Sequence, residues 1–195
     1  MNASDAAALI AGAVPPAEGP RSAMRVWADL GAGAGTFTQA LAGLLGPGAR
    51  VYAVDRERRA IAALERLAAS LRPGAIVIPR RADFADPASL DGLNLPPLDG
   101  ILLANALHFV PAADQATVLT RLVTRLRPRG RLVVAEYDGR GPSRWVPAPV
   151  SLERLRELLP AGVGPLREVG SRPSAYGGVI YAAVTEPVVR SGRTG

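Results

Sequence analysis

Residues 27–37 read WADLGAGAGTF. Gly31, Gly33 and Gly35 alternate with alanines, Ala32 among them, and Asp29 stands two places before the first glycine. Glycines in this pattern let backbone approach a ligand closely and present N–H groups to it. Farther along, acids and an amide recur where apolar runs end: Asp55, Asp83, Asn105, Glu136 and Asp138. Such side chains accept hydrogen bonds from hydroxyls and amines, or face a cation. His108 is the only histidine, the side-chain type best suited to moving a proton near neutral pH. As a general base it would deprotonate a hydroxyl or amine nucleophile. As a structural group it would order the loop around it. The structural reading is preferred, because the sequence shows no partner for it.

These residues gain meaning from the elements that carry them. Residues 4–14 read as a short helix capped by Ser4 or Asp5, placed to cover the mouth of a site, and PPAEGP then breaks the chain. MRVWADL (24–30) reads as a buried strand running into the glycine turn. Residues 35–45 place apolar side chains at 37, 41, 44 and 45, one face of a helix that GPG ends. A second strand (49–55), a helix (57–71) with Ile61, Leu64, Leu67, Ala68 and Leu71 on one face, and a third strand (75–84) follow. The proline- and glycine-rich stretch 85–98 leaves room for one helical turn. DGILLANAL (99–107) is a fourth strand and its exit. After Pro111 a helix is expected to Leu126, with Val118, Leu119, Leu122, Val123 and Leu126 inward. RLVVAEY (131–137) is a fifth strand, 138–149 an irregular loop, and Ser151 caps a helix over 151–159. PLREVGSR and AYGGVIYAAV close the chain as a hairpin.

Alternation of helices with nearly continuous apolar strands implies a parallel sheet covered on both faces. Ligands of such sheets bind beyond the carboxyl ends of the strands, where the acids fall. The 195 residues suit one domain: an N-terminal helix and linker (1–23), a core (24–185) and a flexible tail (186–195).

A nucleoside triphosphate needs a P-loop lysine, and every basic residue here is an arginine. The dinucleotide pattern G-x-G-x-x-G/A has its third position on Thr36, which weakens that reading, and Asp29 would repel a pyrophosphate. S-adenosylmethionine has no phosphate and brings an ammonium and a sulfonium. Asp29 would face the ammonium, and N–H groups of the loop and the helix start would hold the carboxylate. Asp55, with Arg56 beside it, ends the second strand and suits a ribose diol. Asp83 suits an adenine amino group, with Phe84 beside the base, and Asn105 reaches the methionine moiety.

DLGAGAG with Asp55, ADF at 82–84, DGILLANALHF and LRPRGRLVVAEY together resemble the class I S-adenosylmethionine-dependent methyltransferases over residues 24–185. The resemblance is greatest to the small-molecule branch that includes quinone-biosynthesis-like enzymes. It implies an α/β Rossmann-like seven-stranded sheet, order 3-2-1-4-5-7-6, with strand 7 antiparallel and helices on both faces. It also implies S-adenosyl-L-methionine as donor, S-adenosyl-L-homocysteine as product, and methyl transfer to an O, N or C atom of a small-molecule acceptor. Candidates to touch that acceptor are His108, Phe109, Tyr137, Arg144 and Trp145, the last two on the 138–149 loop.

The net charge of +6 is poor evidence for a nucleic-acid partner. Arg25, Arg50 and Arg131 begin strands and Arg72, Arg125 and Arg127 fall at helix ends, away from the acidic rim, with Arg56, Arg80, Arg81, Arg140 and Arg144 as exceptions near it. With no cysteine, thiolate metal sites, disulfides and thiol nucleophiles are excluded; no metal is expected. Absence of lysine and of an [ND]PP[YFW] motif argues against several macromolecule-directed subclasses. No run of 18 apolar residues occurs and MNASDAAALI lacks signal-peptide features, so a cytoplasmic protein is expected. The alternatives are an NAD(P)-dependent oxidoreductase and a cofactor-binding, non-catalytic partner protein.

Overall fold

The apolar runs pair side by side into one seven-stranded sheet in the computed structural model, which describes residues 1–15, 25–71, 74–175 and 177–185. The expected linker over 16–23, Arg72 and the tail over 186–195 lie outside the described residues. The strands are β1 (Val26–Leu30), β2 (Arg50–Asp55), β3 (Ile76–Arg81), β4 (Leu98–Ala104), β5 (Leu126–Asp138), β6 (Leu166–Pro173) and β7 (Val179–Thr185). Their order is β3-β2-β1-β4-β5-β7-β6. The first five pair in parallel, and β7 runs antiparallel to both β5 and β6. This is the topology that the resemblance implies.

Six helices cover the sheet among the described residues: α1 (Ala3–Ile10), α2 (Thr36–Leu45), α3 (Arg58–Ser70), α4 (Pro87–Asp91), α5 (Gln115–Val123) and α6 (Leu152–Leu158). Successive strand residues face opposite sides. Leu102 and Val133 join a core with α1, α2 and Leu64 of α3. Ile101, Leu103 and Val134 join a second core with α4, α5 and α6. Both faces are covered, which is why the strands read as unbroken apolar runs rather than as alternation.

Two boundaries differ from the sequence reading. Asn2, not Ser4 or Asp5, caps α1, accepting from the Asp5 amide at 2.8 Å. The helix after Pro111 is shorter than expected, running only from Gln115 to Val123. Leu126 pairs instead with Leu98 and opens β5. A ladder across the sheet outcompetes one more helical turn, a tertiary choice that helical periodicity cannot register.

Arginines gather at the amino ends of the strands. Arg25 donates to Leu45 O at the end of α2, where the helix dipole favours a cation. Arg127 pairs with Asp99 Oδ1 at 2.9 Å, and Arg125 pairs with Asp91. Among the described residues no helix is long and apolar enough to cross a membrane.

Candidate functional site

The chain leaves β1 toward β2 on one side, and β4 pairs on the other, so a crevice opens above the carboxyl ends of these strands. It holds a cavity of about 600 Å³. Gly31, Ala32 and Gly33 form part of its wall, with Asp55 and Arg56 beyond β2, and Asp83 and Phe84 beyond β3. Asn105, Phe109 and Tyr137 line it from the β4 and β5 side. The sequence thus placed ten of its fifteen candidates around one cavity; Asp29, Gly35, His108, Arg144 and Trp145 are not on the wall.

Gly31 closes the turn tightly. Its φ is +77°, and a Cβ there would lie 2.6 Å from Ala106 Cβ, so no other residue fits without strain. The turn is also self-contained. The Gly31 and Ala32 amides both donate to Val54 O, and the Gly35 amide donates to Ala32 O. The Gly33 amide donates to Asp55 Oδ2 at 2.8 Å. The amides at 31, 32 and 33 thus fix the loop on β2, and that at 35 closes the loop on itself, which leaves the expected ligand carboxylate to the rest of the loop and the helix start. Gly35 packs behind, against Leu64 and Leu67 of α3.

Asp55 is oriented from both sides, its Oδ1 accepting from the Glu57 amide at 2.8 Å. Asp83 Oδ1 accepts from the Ala85 amide at 2.9 Å, and Arg56 reaches Asp83 Oδ2 at 3.3 Å. Asp29 lies beneath the loop, 1% exposed. Its Oδ2 accepts from Thr38 Oγ1 at 2.6 Å. Burial pushes its pKa up to about 7; the Thr38 hydrogen bond opposes this and the nearby Asp55 charge adds to it.

Asp29 Oδ1 and Asn105 Oδ1 are buried without a hydrogen-bond partner among the described residues. Asn105 is further marked by a φ of +51°, a left-handed conformation that asparagine tolerates better than most residues. Two orphaned oxygens at the ends of adjacent strands suit a ligand that brings donors or positive charge. S-adenosylmethionine fits this set of acceptors in its chemistry, since it brings an ammonium, ribose hydroxyls and an adenine amino group. Among the described residues no group of three or more His, Asp or Glu side chains could hold a metal ion.

His108 is 2% exposed and off the cavity wall. Its Nδ1 lies 2.6 Å from Glu136 Oε2. Glu136 Oε1 accepts from the Leu107 and His108 amides, at 2.9 and 3.2 Å. One carboxyl on β5 therefore pins the whole turn that carries Phe109 into the cavity. The sequence offered a signal, an acid inside the apolar run LVVAEY, that it could not connect to His108.

Arg144 and Trp145 were expected to wall the acceptor, and the structure does not bring them to the cavity. Trp145 is 72% exposed, with the Arg144 guanidinium 5.3 Å from its ring centre. Gln115 Nε2 donates to Ala148 O at 3.0 Å, and the Ala148 amide donates to His108 O at 3.1 Å. With Val146 buried, these ties fasten the loop and leave residues 144 and 145 facing solvent. The opposite wall was missed: Asp5 of α1 and Arg172, Pro173 and Ile180 of the closing hairpin all line the cavity. Only the expectation that the first helix covers the mouth pointed there.

The family model described as a methyltransferase domain matches residues 28–132, more than half of the chain. The chain belongs to that family, the class I S-adenosylmethionine-dependent methyltransferases. No curated protein matches the sequence significantly. Among solved structures, the chain is similar to the mitomycin 7-O-methyltransferase MmcR (22% identity, TM-score 0.61, 93% of this chain and 53% of that one). It is similar to the carbon methyltransferase CurJ (19%, TM-score 0.70, 88% and 50%). It is also similar to magnesium protoporphyrin IX methyltransferase from Synechocystis PCC 6803, solved with bound S-adenosylmethionine (19%, TM-score 0.63, 93% and 76%). The chain spans about half the length of the first two. At these identities the likeness is one of fold, and it does not single out the quinone-biosynthesis-like branch.

Proposed function

We propose that the protein binds S-adenosyl-L-methionine in this cavity and transfers its methyl group to an O, N or C atom of a small-molecule acceptor in the cytoplasm. The observation that carries the reading is Asp29. Its buried Oδ1, without a hydrogen-bond partner among the described residues, lies under a turn whose amides at 31, 32, 33 and 35 are committed within the protein. Such a turn offers little to a pyrophosphate, whereas a buried carboxyl next to it favours a cation. Family membership supports the same reading.

When bound, the cofactor supplies a methyl group on a sulfonium, already activated for in-line displacement. The protein's part is then alignment and exclusion of water. Asp55 and Asp83 orient the nucleoside, Phe84 flanks its base, and Asn105 and Asp29 hold the amino-acid end. Phe109 and Tyr137 shape the acceptor side. His108 serves as a positioning residue, holding the 107–109 turn through Glu136.

A thermal-shift titration with S-adenosylmethionine, S-adenosylhomocysteine, NADH and NADPH tests the proposal. A ligand of the native state at 100 times its Kd adds about 2.7 kcal/mol of stability. Stabilisation by the two adenosyl compounds alone is expected. Stabilisation by NADH or NADPH alone would instead favour an oxidoreductase. Cofactor binding without methyl transfer to any compound in a broad extract would favour a non-catalytic partner protein.

A further inference from the structure

The acceptor side of the cavity has an ordered wall. Tyr137 on β5 stands opposite Ile180 on β7, and Ile180 stands opposite Arg172 on β6. Residues directly opposite in antiparallel strands share a face of the sheet. An aromatic ring, an aliphatic side chain and a guanidinium therefore form one row, and all three line the cavity. Phe109 and Val110 add apolar surface. Among the described residues Arg172 is the one cationic side chain on this part of the wall; the chain's N-terminus at Met1 also lines the cavity.

Arg172 is incompletely paired. Its Nη1 meets Asp5 Oδ2 at 2.9 Å, each side chain 38% exposed. Its Nε and Nη2 have no partner among the described residues. The other cavity guanidinium, Arg56, is flanked by two carboxylates, Asp83 at 3.3 Å and Glu57 at 3.6 Å. Asp5 is itself held in place. α1 buries Ala6, Leu9 and Ile10, and it lies so close to β6 that a Cβ on Gly170 would come within 2.5 Å of Leu9 O. The helix thus presents Asp5 as a fixed counterion to one end of the guanidinium and leaves the fork's other edge to a ligand.

We propose that Arg172 is a specificity-determining residue of the acceptor subsite, and that the acceptor is a small apolar molecule carrying a carboxylate. The apolar body lies along Tyr137, Ile180 and Phe109, and the carboxylate takes the uncommitted Nε–Nη2 edge of Arg172 in the fork geometry that guanidinium groups favour. This rests on the methyltransferase reading above.

The test is calorimetric titration of the full chain, saturated with S-adenosylhomocysteine, with 4-hydroxybenzoate, 2-aminobenzoate and octanoate, each beside its neutral primary amide. Wild type is expected to bind at least one carboxylate roughly tenfold or more tighter than its amide. Arg172→Gln should abolish that preference, while Arg154→Gln, which removes an exposed cation paired with Glu157 on α6, should retain it. Asp5→Asn should strengthen carboxylate binding by freeing more of the guanidinium. Stabilisation by S-adenosylhomocysteine checks each variant's fold and cofactor site. Wild type binding no carboxylate, binding carboxylate and amide alike, or an unchanged preference in Arg172→Gln overturns this proposal and leaves the methyltransferase reading standing. Failure of S-adenosylhomocysteine to bind wild type overturns that reading, and this proposal with it.

Discussion

Glu136 and His108 form a buried pair, Oε2 to Nδ1 at 2.6 Å, and the same carboxyl accepts the backbone N–H groups of Leu107 and His108. Glu136→Ala leaves those buried donors without an acceptor and should cost about 3 kcal/mol or more, at about 1–3 kcal/mol per unsatisfied group. Urea denaturation measures it. A loss near zero would mean that the 107–109 turn is held by other contacts.

The same geometry separates two roles for His108. A general base contributes roughly 100-fold or more to rate. A positioning residue whose Nδ1 is held and whose ring lies off the wall should contribute less at saturating acceptor. His108→Ala is therefore expected to lower the melting temperature while kcat falls less than tenfold or so. A larger fall in kcat with unaltered cofactor affinity would make His108 the base.

Asp29 predicts a pH dependence with a definite sign. In the folded chain it keeps its proton to about pH 7, against an ordinary value of 3.8. Between these values the native state holds more protons than the unfolded state, so Asp29's contribution to stability falls as pH rises through the window and levels off above it. Asp29→Asn should remove that slope from urea midpoints measured between about pH 4 and pH 8. A cation bound beside Asp29 favours its charged form, so S-adenosylmethionine binding near pH 6 or so should release protons. Calorimetry in two buffers of different ionisation enthalpy detects this; no buffer dependence would place the ammonium elsewhere.

Gly31→Ala should cost stability twice over, through its positive φ and through the clash with Ala106 Cβ, about 1–3 kcal/mol in all. Ala106→Gly removes the clash but not the backbone strain. The double variant should therefore recover part of the loss. Full recovery would mean that the φ of +77° carries no strain, and no recovery would mean that the clash relaxes at little cost.

Gln115 is buried, and its Nε2 reaches Leu107 O, Val110 O and Ala148 O at 3.5, 3.3 and 3.0 Å. Gln115→Leu leaves these carbonyls without that donor, with an expected loss of about 1–3 kcal/mol. Hydrogen exchange of the Ala148 amide, which donates to His108 O, should accelerate more than that of amides in β1. Uniform acceleration would mean that Gln115 supports global stability rather than the tie between the two loops.

The sequence by itself determined what is local. Strand and helix order follow from the period of apolar residues, the turn after β1 from its glycines, and the α6 cap from Ser151. Because a parallel sheet gathers its strand ends at one rim, acids at those ends had to converge, and Asp55, Asp83 and Asn105 do line one cavity. Only the tertiary structure decided what depends on neighbours distant in the chain. It ended α5 early because Leu126 found Leu98. It gave His108 its partner on another strand, turned Trp145 to solvent, and set Asp5 of the first helix against Arg172 of the sixth strand. A buried polar group needs a partner, but its own sequence neighbourhood does not say which element will bring one. That choice is fixed by packing and strand order, which is why the site's rim was legible in the sequence and its acceptor wall was not.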